Sequence, residues 1–340
     1  MDPMRRPDRP TLDDVASIAG VSRASASRAL RGQSKVTPET VRRVKDAAAR
    51  IGYIPNAAAR LLAGGGEPGL LGLIVRDSSN PAYFALQQGI QAAARQRNER
   101  MIAMSIANGI QPELAESIIQ SLLGLGVGGL IVATAAVPSE ILERYHSVVP
   151  LLRAGTPEPS PVLHSVSYDE ASHARLVAAQ IADHGHRSAV VVSLEPRALT
   201  QYLRADCLDR ELTARGVTVR RVVGDFSRNC LDQVLGAVRA GATAVACADD
   251  AWALDVLAAL ADEGLRTPED VSVTGIDGIM TGLDLIDLTT VRLPVEALAE
   301  AATDAIQRIV AASGPVARID EKTGGELVLR GSLGAAPPAG

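Results

Sequence analysis

From residue 70 to residue 276 the chain repeats one pattern, a short apolar run followed by an amphipathic stretch long enough for a helix. The runs are LLGLIV (70–75), MIAMSI (101–106), GLIVA (129–133), VPLL (149–152), AVVVS (189–193), VTVRRVV (217–223), TAVACA (243–248) and VSVTGI (271–276). Helical stretches lie between them at 82–97, 112–125, 171–184, 202–215 and 251–263. Near-continuous apolar strands alternating with helices specify parallel sheets covered on both faces. The runs fall into two series, so the body is expected to hold two doubly wound α/β subdomains. Hydrophobic residues make up 47% of the chain but aromatic ones only 2%, so Ala, Val, Leu and Ile must fill the core.

Open α/β sheets bind ligands outside the carboxyl ends of their strands. After the run at 70–75 come Asp77, Ser79, Asn80, Tyr83 and Phe84. Tyr202 and Arg204 precede a helix expected at 203–215; Asp249, Asp250 and Trp252 follow the run at 243–248, and Asp277 follows the run at 271–276. Four of the eight aromatic residues belong to this set, which points to a pocket wall for a flat or ring-shaped ligand. Arg204 with Asp249 and Asp277 supplies one forked donor and two acceptors, a set suited to the hydroxyls of a sugar or polyol. The bland alternative makes Tyr83, Phe84 and Trp252 core residues at helix starts and the acids N-caps. That cap reading is preferred for Asp250.

The segment before this body has a different character. Thr11 and Asp14 have capping-box spacing, Gly20 permits a tight turn, and Ser22 can cap a second helix at 23–30. Thr37, Pro38 and Glu39 open a third helix. Helix, Gly-containing turn and helix make a helix-turn-helix, whose second helix enters the DNA major groove. That second helix carries Arg23, Ala24, Ser25, Ser27 and Arg28 and no acid, with Arg31 just beyond. Arg and Ser side chains donate to phosphates and base edges. Residues 1–63 hold 12 Lys and Arg against 6 Asp and Glu, a net of +6 in a chain of net −5. A basic head on an acidic body points to an anionic partner for the head alone.

These motifs resemble the LacI/GalR family of transcriptional regulators. TLDDVASIAGVS, SRAL, VTPETVRRV and IGYIPNAAARLLAGG match its head without gaps. Tyr53-Ile54-Pro55-Asn56, followed by Ala59, Arg60 and Leu62, is similar to its hinge segment, in which a leucine wedges into the minor groove. GLLGLIVRDSSNPAYFALQQGI, HGHRSAVVVS, ADDAWAL, LRTPEDVSVTGIDG and LTTVRLPVEALAEAA resemble successive blocks of its body. The resemblance implies a small all-α head plus a body of two doubly wound parallel-sheet subdomains, like periplasmic binding proteins. It implies that Thr11, Ser22, Arg23, Ala24, Ser25, Ser27, Arg28, Tyr53, Asn56, Ala59, Arg60 and Leu62 contact DNA. It places Arg204 and Asp277 at the effector, strand-end position adds Asn80, Tyr83, Phe84, Tyr202, Asp249 and Trp252, and Arg153 is the substitute at a further family contact. The chain departs from the family pattern at the pocket. Asp249 replaces the usual Asn, Gly278 a frequent second Asp, and Cys207 a usual Gly; Arg153-Ala154-Gly155 stands where an Asp or Arg often faces the ligand.

The expected organisation is a disordered tail at 1–10, a helix-turn-helix domain at 11–53 and a hinge and linker at 54–69. The ligand-binding and dimerisation domain spans 70–334. Its N-subdomain takes 70–165 and 293–322, with a helix at 295–311. Its C-subdomain takes 166–292 and 323–334, with a strand at 326–329, and the final GAAPPAG is read as loose. The expected partners are operator DNA, a small-molecule effector of sugar or polyol type, and a second copy of the chain in a dimer. A palindromic operator and repression of a carbohydrate-utilisation operon follow by resemblance. A nucleobase or nucleoside effector, or a binding protein without DNA function, are the alternatives. No cofactor, metal, catalytic centre or membrane span is expected. Gly124-x-Gly126-x-Gly128-Gly129 follows a helix and precedes a strand, the reverse of a nucleotide-binding loop. His184-Gly185-His186 reads as a capping turn. Three cysteines without CxxC spacing and an opening MDPMRRPDRP with no apolar run suit a cytoplasmic chain.

Overall fold

The computed structural model describes residues 10–30, 36–51, 53, 70–76, 80–107, 112–194, 199–224 and 230–338. The chain divides into two units, a head and a body.

In the head, α1 (Leu12–Ala19) begins with a complete capping box, in which Thr11 accepts from the Asp14 amide while the Asp14 carboxylate takes the Thr11 amide. It ends at Gly20, whose φ of 62° is the left-handed cap. α2 (Arg23–Leu30) and α3 (Pro38–Ile51) follow. Val15, Ala16, Ala19, Ala26, Ala29, Val44, Ala47 and Ala48 are buried between the three helices. Arg43 donates to the carbonyls of Ala19 and Gly20, satisfying acceptors that the end of α1 leaves open and fixing α3 against the turn.

The body opens with β1 (Leu70–Arg76), α4 (Pro81–Gln96), β2 (Arg100–Ile106), α5 (Pro112–Gly124), β3 (Gly129–Ala133), α6 (Ser139–Tyr145), β4 (Leu151–Ala154) and β5 (His164–Tyr168). It continues with α7 (Glu170–Asp183), β6 (Ser188–Leu194), α8 (Leu199–Ala214), β7 (Thr218–Gly224), α9 (Leu231–Arg239), β8 (Ala244–Cys247), α10 (Asp250–Asp262), β9 (Ser272–Asp277) and β10 (Thr289–Arg292). α11 (Val295–Ala311), β11 (Asp320–Thr323) and β12 (Glu326–Val328) complete it. One sheet has the order β11-β5-β4-β3-β1-β2 and is parallel throughout. The other runs β12-β10-β9-β8-β6-β7 and is parallel except where β10 meets β12. The chain passes between the sheets three times: after β5, after β10 and after β11. In each sheet the order reverses beside the first strand of its series, which opens a crevice at the carboxyl ends.

Three strands escape the apolar-run rule. β5 is HSVSY, with Ser165 and Ser167 fully buried; β10 is TTVR, with Thr289 and Thr290 fully buried. Their hydroxyls are largely satisfied: Ser165 donates to Asp320, Thr289 to the Arg330 carbonyl and Thr290 to Asp250. A hydrogen-bonded Ser or Thr can occupy a core strand without raising hydropathy. β11 (DEKT) is an edge strand and carries its charges outward. The GAAPPAG end is held rather than loose over its described part. The Gly334 carbonyl accepts from His186, and the Ala336 amide donates to the His184 carbonyl. His186 is buried, with its other ring nitrogen against Thr243 Oγ1.

Candidate functional site

The head exposes one face of α2. Ala26 and Ala29 point into the core, whereas Arg23 and Ala24 are exposed and Ser25, Ser27 and Arg28 half-buried. Ser22 caps α2 by accepting from the Ser25 amide at 3.2 Å, and the two hydroxyls meet at 2.9 Å. Arg23 pairs with Asp13 at 3.0 Å, and both side chains are exposed. Such a pair is worth at most about 1 kcal/mol, so a phosphate or a base edge can displace it. Thr11 is spent on the cap and Tyr53 packs on the helical core. Arg31, Asn56, Ala59, Arg60 and Leu62 lie outside the described residues.

The body encloses a cavity between the carboxyl ends of its two sheets. The first sheet contributes Asn80, Tyr83, Leu86, Thr134, Gly155, Thr156 and Tyr168 to its wall; Thr200, Gln201, Arg204 and Asp277 come from the second. At its floor lies a buried charge cluster. Arg204 Nη1 donates to Asp277 Oδ1 at 2.8 Å, and its Nε donates to Glu170 Oε2 at 2.9 Å. Burial opposes the charge of Arg204, but the two carboxylates outweigh it and hold its pKa above the usual arginine value. Burial also pushes Asp277 up, against the pull of Arg204. Glu170 is pushed up by burial as well, yet Arg204 and His173 bring it below the usual range. Asn80 caps α4 through the Ala82 amide and reaches across the cleft, donating to Asp277 Oδ2 at 2.9 Å. Arg76 donates to the Tyr83 hydroxyl at 3.2 Å and lies over its ring, 5.3 Å from the centroid.

Three buried polar atoms of the wall have no hydrogen-bond partner among the described residues: Thr156 Oγ1, Tyr168 OH and Gln201 Oε1. Burial lifts the Tyr168 phenol well above its ordinary pKa, so it stays neutral. Unpaired buried groups cost about 1–3 kcal/mol each, and here they line the same cavity. The cavity is about 30 Å³, room for water and not for a sugar.

The structure corrects several sequence assignments. α8 begins at Leu199, so Tyr202 and Arg204 lie inside the helix. Arg204 turns to the cavity; Tyr202 instead stacks under Arg221, 4.4 Å from guanidinium to ring centroid. Arg153 lies within β4, on the face opposite Leu152 and Ala154. It is 3% exposed and held by Glu158 at 2.5 Å and by the Thr134 and Val137 carbonyls, outside the cavity wall. Phe84 points away from the wall and is 63% exposed. Trp252 is buried in the second-lobe core. The two acids exchange roles. Asp249 caps α10 by accepting from the Trp252 amide at 2.9 Å. Asp250 is the buried acceptor, taking the Gly278 amide at 2.7 Å and the Thr290 hydroxyl at 2.6 Å. Asp77 and Ser79 lie outside the described residues. Sequence reasoning missed Tyr168, Thr156, Gln201 and Glu170. Glu170 carried the one readable signal, an acid one residue past a good cap.

Residues 11–56 match the family described as bacterial regulatory proteins, lacI family, and residues 178–333 match the periplasmic binding protein-like domain. Catabolite control protein A of Priestia megaterium is 31% identical over 279 residues, covering 78% of this chain and 82% of that protein. The HTH-type transcriptional regulator CelR of Thermobifida fusca is 27% identical over 288 residues, covering 81% and 84%. Among solved structures, the lac repressor dimer bound to operator and the anti-inducer ONPF superposes with a TM-score of 0.80 at 25% identity, over 96% of this chain and all of that one.

Proposed function

The chain belongs to the lacI family of bacterial regulatory proteins, cytoplasmic DNA-binding transcriptional regulators rather than enzymes, and from that premise we propose that it represses a carbohydrate-utilisation operon and is released by a small hydroxylated effector. The observation that carries the effector reading is the cavity wall. Arg204, Asp277 and Asn80 present donor and acceptor groups, and Thr156, Tyr168 and Gln201 add unpaired ones beside the Tyr83 ring. A polyhydroxy ligand pairs such groups and stacks an apolar face on an aromatic ring. Binding that parts or re-closes the lobes shifts the population between two arrangements of the body. The segment at 54–69 joins that body to the head, with Asn56, Ala59, Arg60 and Leu62 as the residues coupling the two by resemblance.

Two heads on one palindromic operator require a homodimer. The body exposes large apolar side chains on both lobes, Phe84 at 63% and Leu285 at 87%, and such residues mark association surfaces where they cluster. The related lac repressor structure is a dimer on operator DNA.

The test is a gel shift on DNA from upstream of the protein's own gene, titrated with neutral mono- and disaccharides. One of them is expected to release wild-type protein. Arg204→Ala and Asp277→Ala are expected to keep ligand-free DNA binding and lose that release. Each removes a charged group that the proposed ligand engages in a buried site, at a cost of about 2–5 kcal/mol in ligand affinity. Release of both variants at wild-type concentration moves the effector site elsewhere. Release by a nucleoside instead of a sugar changes the effector class and leaves the cleft in place.

A further inference from the structure

The cleft floor continues as one hydrogen-bonded chain into the crossovers. Glu170 and His173 stand one helical turn apart at the start of α7, so their side chains share a face. His173 Nδ1 meets Glu170 Oε2 at 3.1 Å, the same oxygen that takes Arg204 Nε. The other ring nitrogen, Nε2, accepts from the Gly325 amide at 2.8 Å. An acceptor at Nε2 puts the ring proton on Nδ1, so His173 donates to Glu170. His173 is fully buried and Glu170 is 5% exposed. Gly325 lies between β11 and β12, where the chain crosses between the lobes for the third time. A side chain there would run into the Arg292 carbonyl of the second crossover, and would lie 3.1 Å from His173 Nε2. The opposite end of the chain is tied in the same way. The Asp277 carbonyl accepts from the Leu293 amide at 2.9 Å, which anchors the second crossover. Asp277 itself holds a φ of 137°, a strained conformation for a residue with a side chain.

We propose that Glu170 and His173 are positioning residues that couple the Arg204 guanidinium to the interlobe crossover at Gly325. Glu170 Oε1 has no partner among the described residues, so the chain runs through Oε2 alone, and its bonds are all made in only one arrangement. Moving Arg204 shifts Glu170 Oε2, this turns the His173 ring, and the turned ring releases the Gly325 amide. A ligand engaging Arg204 therefore acts on the segment about which the lobes rotate. The purpose of the coupling rests on the effector reading of the cleft, but its existence does not.

The experiment reads amide hydrogen exchange, residue by residue, in the full-length protein with no ligand added. Arg204→Lys perturbs the cleft end. Asn80→Asp is a second perturbation, which keeps an oxygen for the α4 cap and sets a charge against Asp277. Either is expected to speed exchange at Gly325 by about five- to tenfold, the scale of one lost hydrogen bond. The Asp169 amide, which donates to the Thr323 carbonyl beside the same crossover, is expected to stay within about twofold and reports any general loosening. In a His173→Leu or Glu170→Gln background the same perturbations are expected to add nothing at Gly325. His173→Gln offers a donor and an acceptor again and is expected to restore part of the response. Equal acceleration at Gly325 and Asp169, additive effects in the double variants, or no response at Gly325 each overturn the coupling. None of these results touches the gel-shift test, so the effector reading stands or falls separately.

Discussion

Asp249 and Asp250 show how two adjacent identical side chains come to opposite uses. Asp249 sits at the cap position with extended backbone and pays its carboxylate to the Trp252 amide. Asp250 is the first residue inside the helix, and its side chain turns toward Gly275 and Thr290, where a side chain on Gly275 would collide with it. Burial first, and the nearby Asp277 charge second, push the Asp250 carboxyl up to about 7. In an unfolded chain the same group titrates near 4. Between those values the folded protein holds the proton that the unfolded chain has lost. Stability is therefore expected to fall as pH rises through that window, by up to about 1.4 kcal/mol per pH unit from this group. Thermal melts from pH 5 to pH 8 check the slope. Asp250→Asn is expected to lower the melting temperature, because one of two accepted bonds is lost, and to flatten the pH dependence. An equally steep fall in the variant assigns the effect to another group.

At the scale of elements, the head works because α2 is short and divided. Its alanines pack inward and its arginines and serines remain available, while α1 and α3 supply the stability that eight residues cannot supply alone. Arg23→Ala and Arg28→Ala are both expected to weaken operator binding. A base contact is worth about 1–3 kcal/mol and changes sequence preference, and Arg23 is expected to behave this way. A phosphate contact weakens all sequences alike and lowers the salt slope by about one. Fluorescence anisotropy on operator and scrambled duplexes at several salt concentrations separates the two. Unchanged affinity in both variants removes α2 from the DNA. The head was legible because each of its signals is local: a capping box, a left-handed glycine, a serine cap. α8 was read too short at its start because LTQYL offers only a weak cap and a poor helix former in Thr200. The strands β5 and β10 stayed hidden because their buried Ser and Thr find partners far along the chain, and hydropathy records no partners.

At the scale of the whole molecule, the proposed function turns on copy number, because two heads reach one palindromic operator only in a dimer. Leu285 lies in the loop between β9 and β10 and Phe84 on α4. If the proposed dimer buries these two side chains, Phe84→Asp with Leu285→Asp shifts the protein from dimer to monomer in sedimentation velocity, since apolar anchors at an interface are worth about 2 kcal/mol or more each. Operator affinity is expected to drop with it, because the second head then binds as an independent molecule. A dimer that persists in the double variant places the interface on another face.

The amino-acid sequence by itself determined the head, the two parallel sheets and the place of the cleft, because capping, hydrophobic period and strand-end position are properties of neighbouring residues. Asp277, Asn80 and Tyr83 could be named from position, since the end of a parallel strand is fixed once the strand is, whereas Arg204 lies inside α8 and not at a strand end. The tertiary structure alone decided which side chains face the cleft. Arg153 leaves it because a strand alternates sides, and a shift of the strand by two residues put the arginine inside it. Neither Asp249 nor Asp250 lines the cavity, because the first caps α10 and the second turns into the sheet toward Gly278 and Thr290. Glu170 and His173 came into the account only with Arg204 and Gly325, which lie 34 and 152 residues away in the chain. A buried charge is tolerated only with its partners, and partners this distant are brought together by the fold.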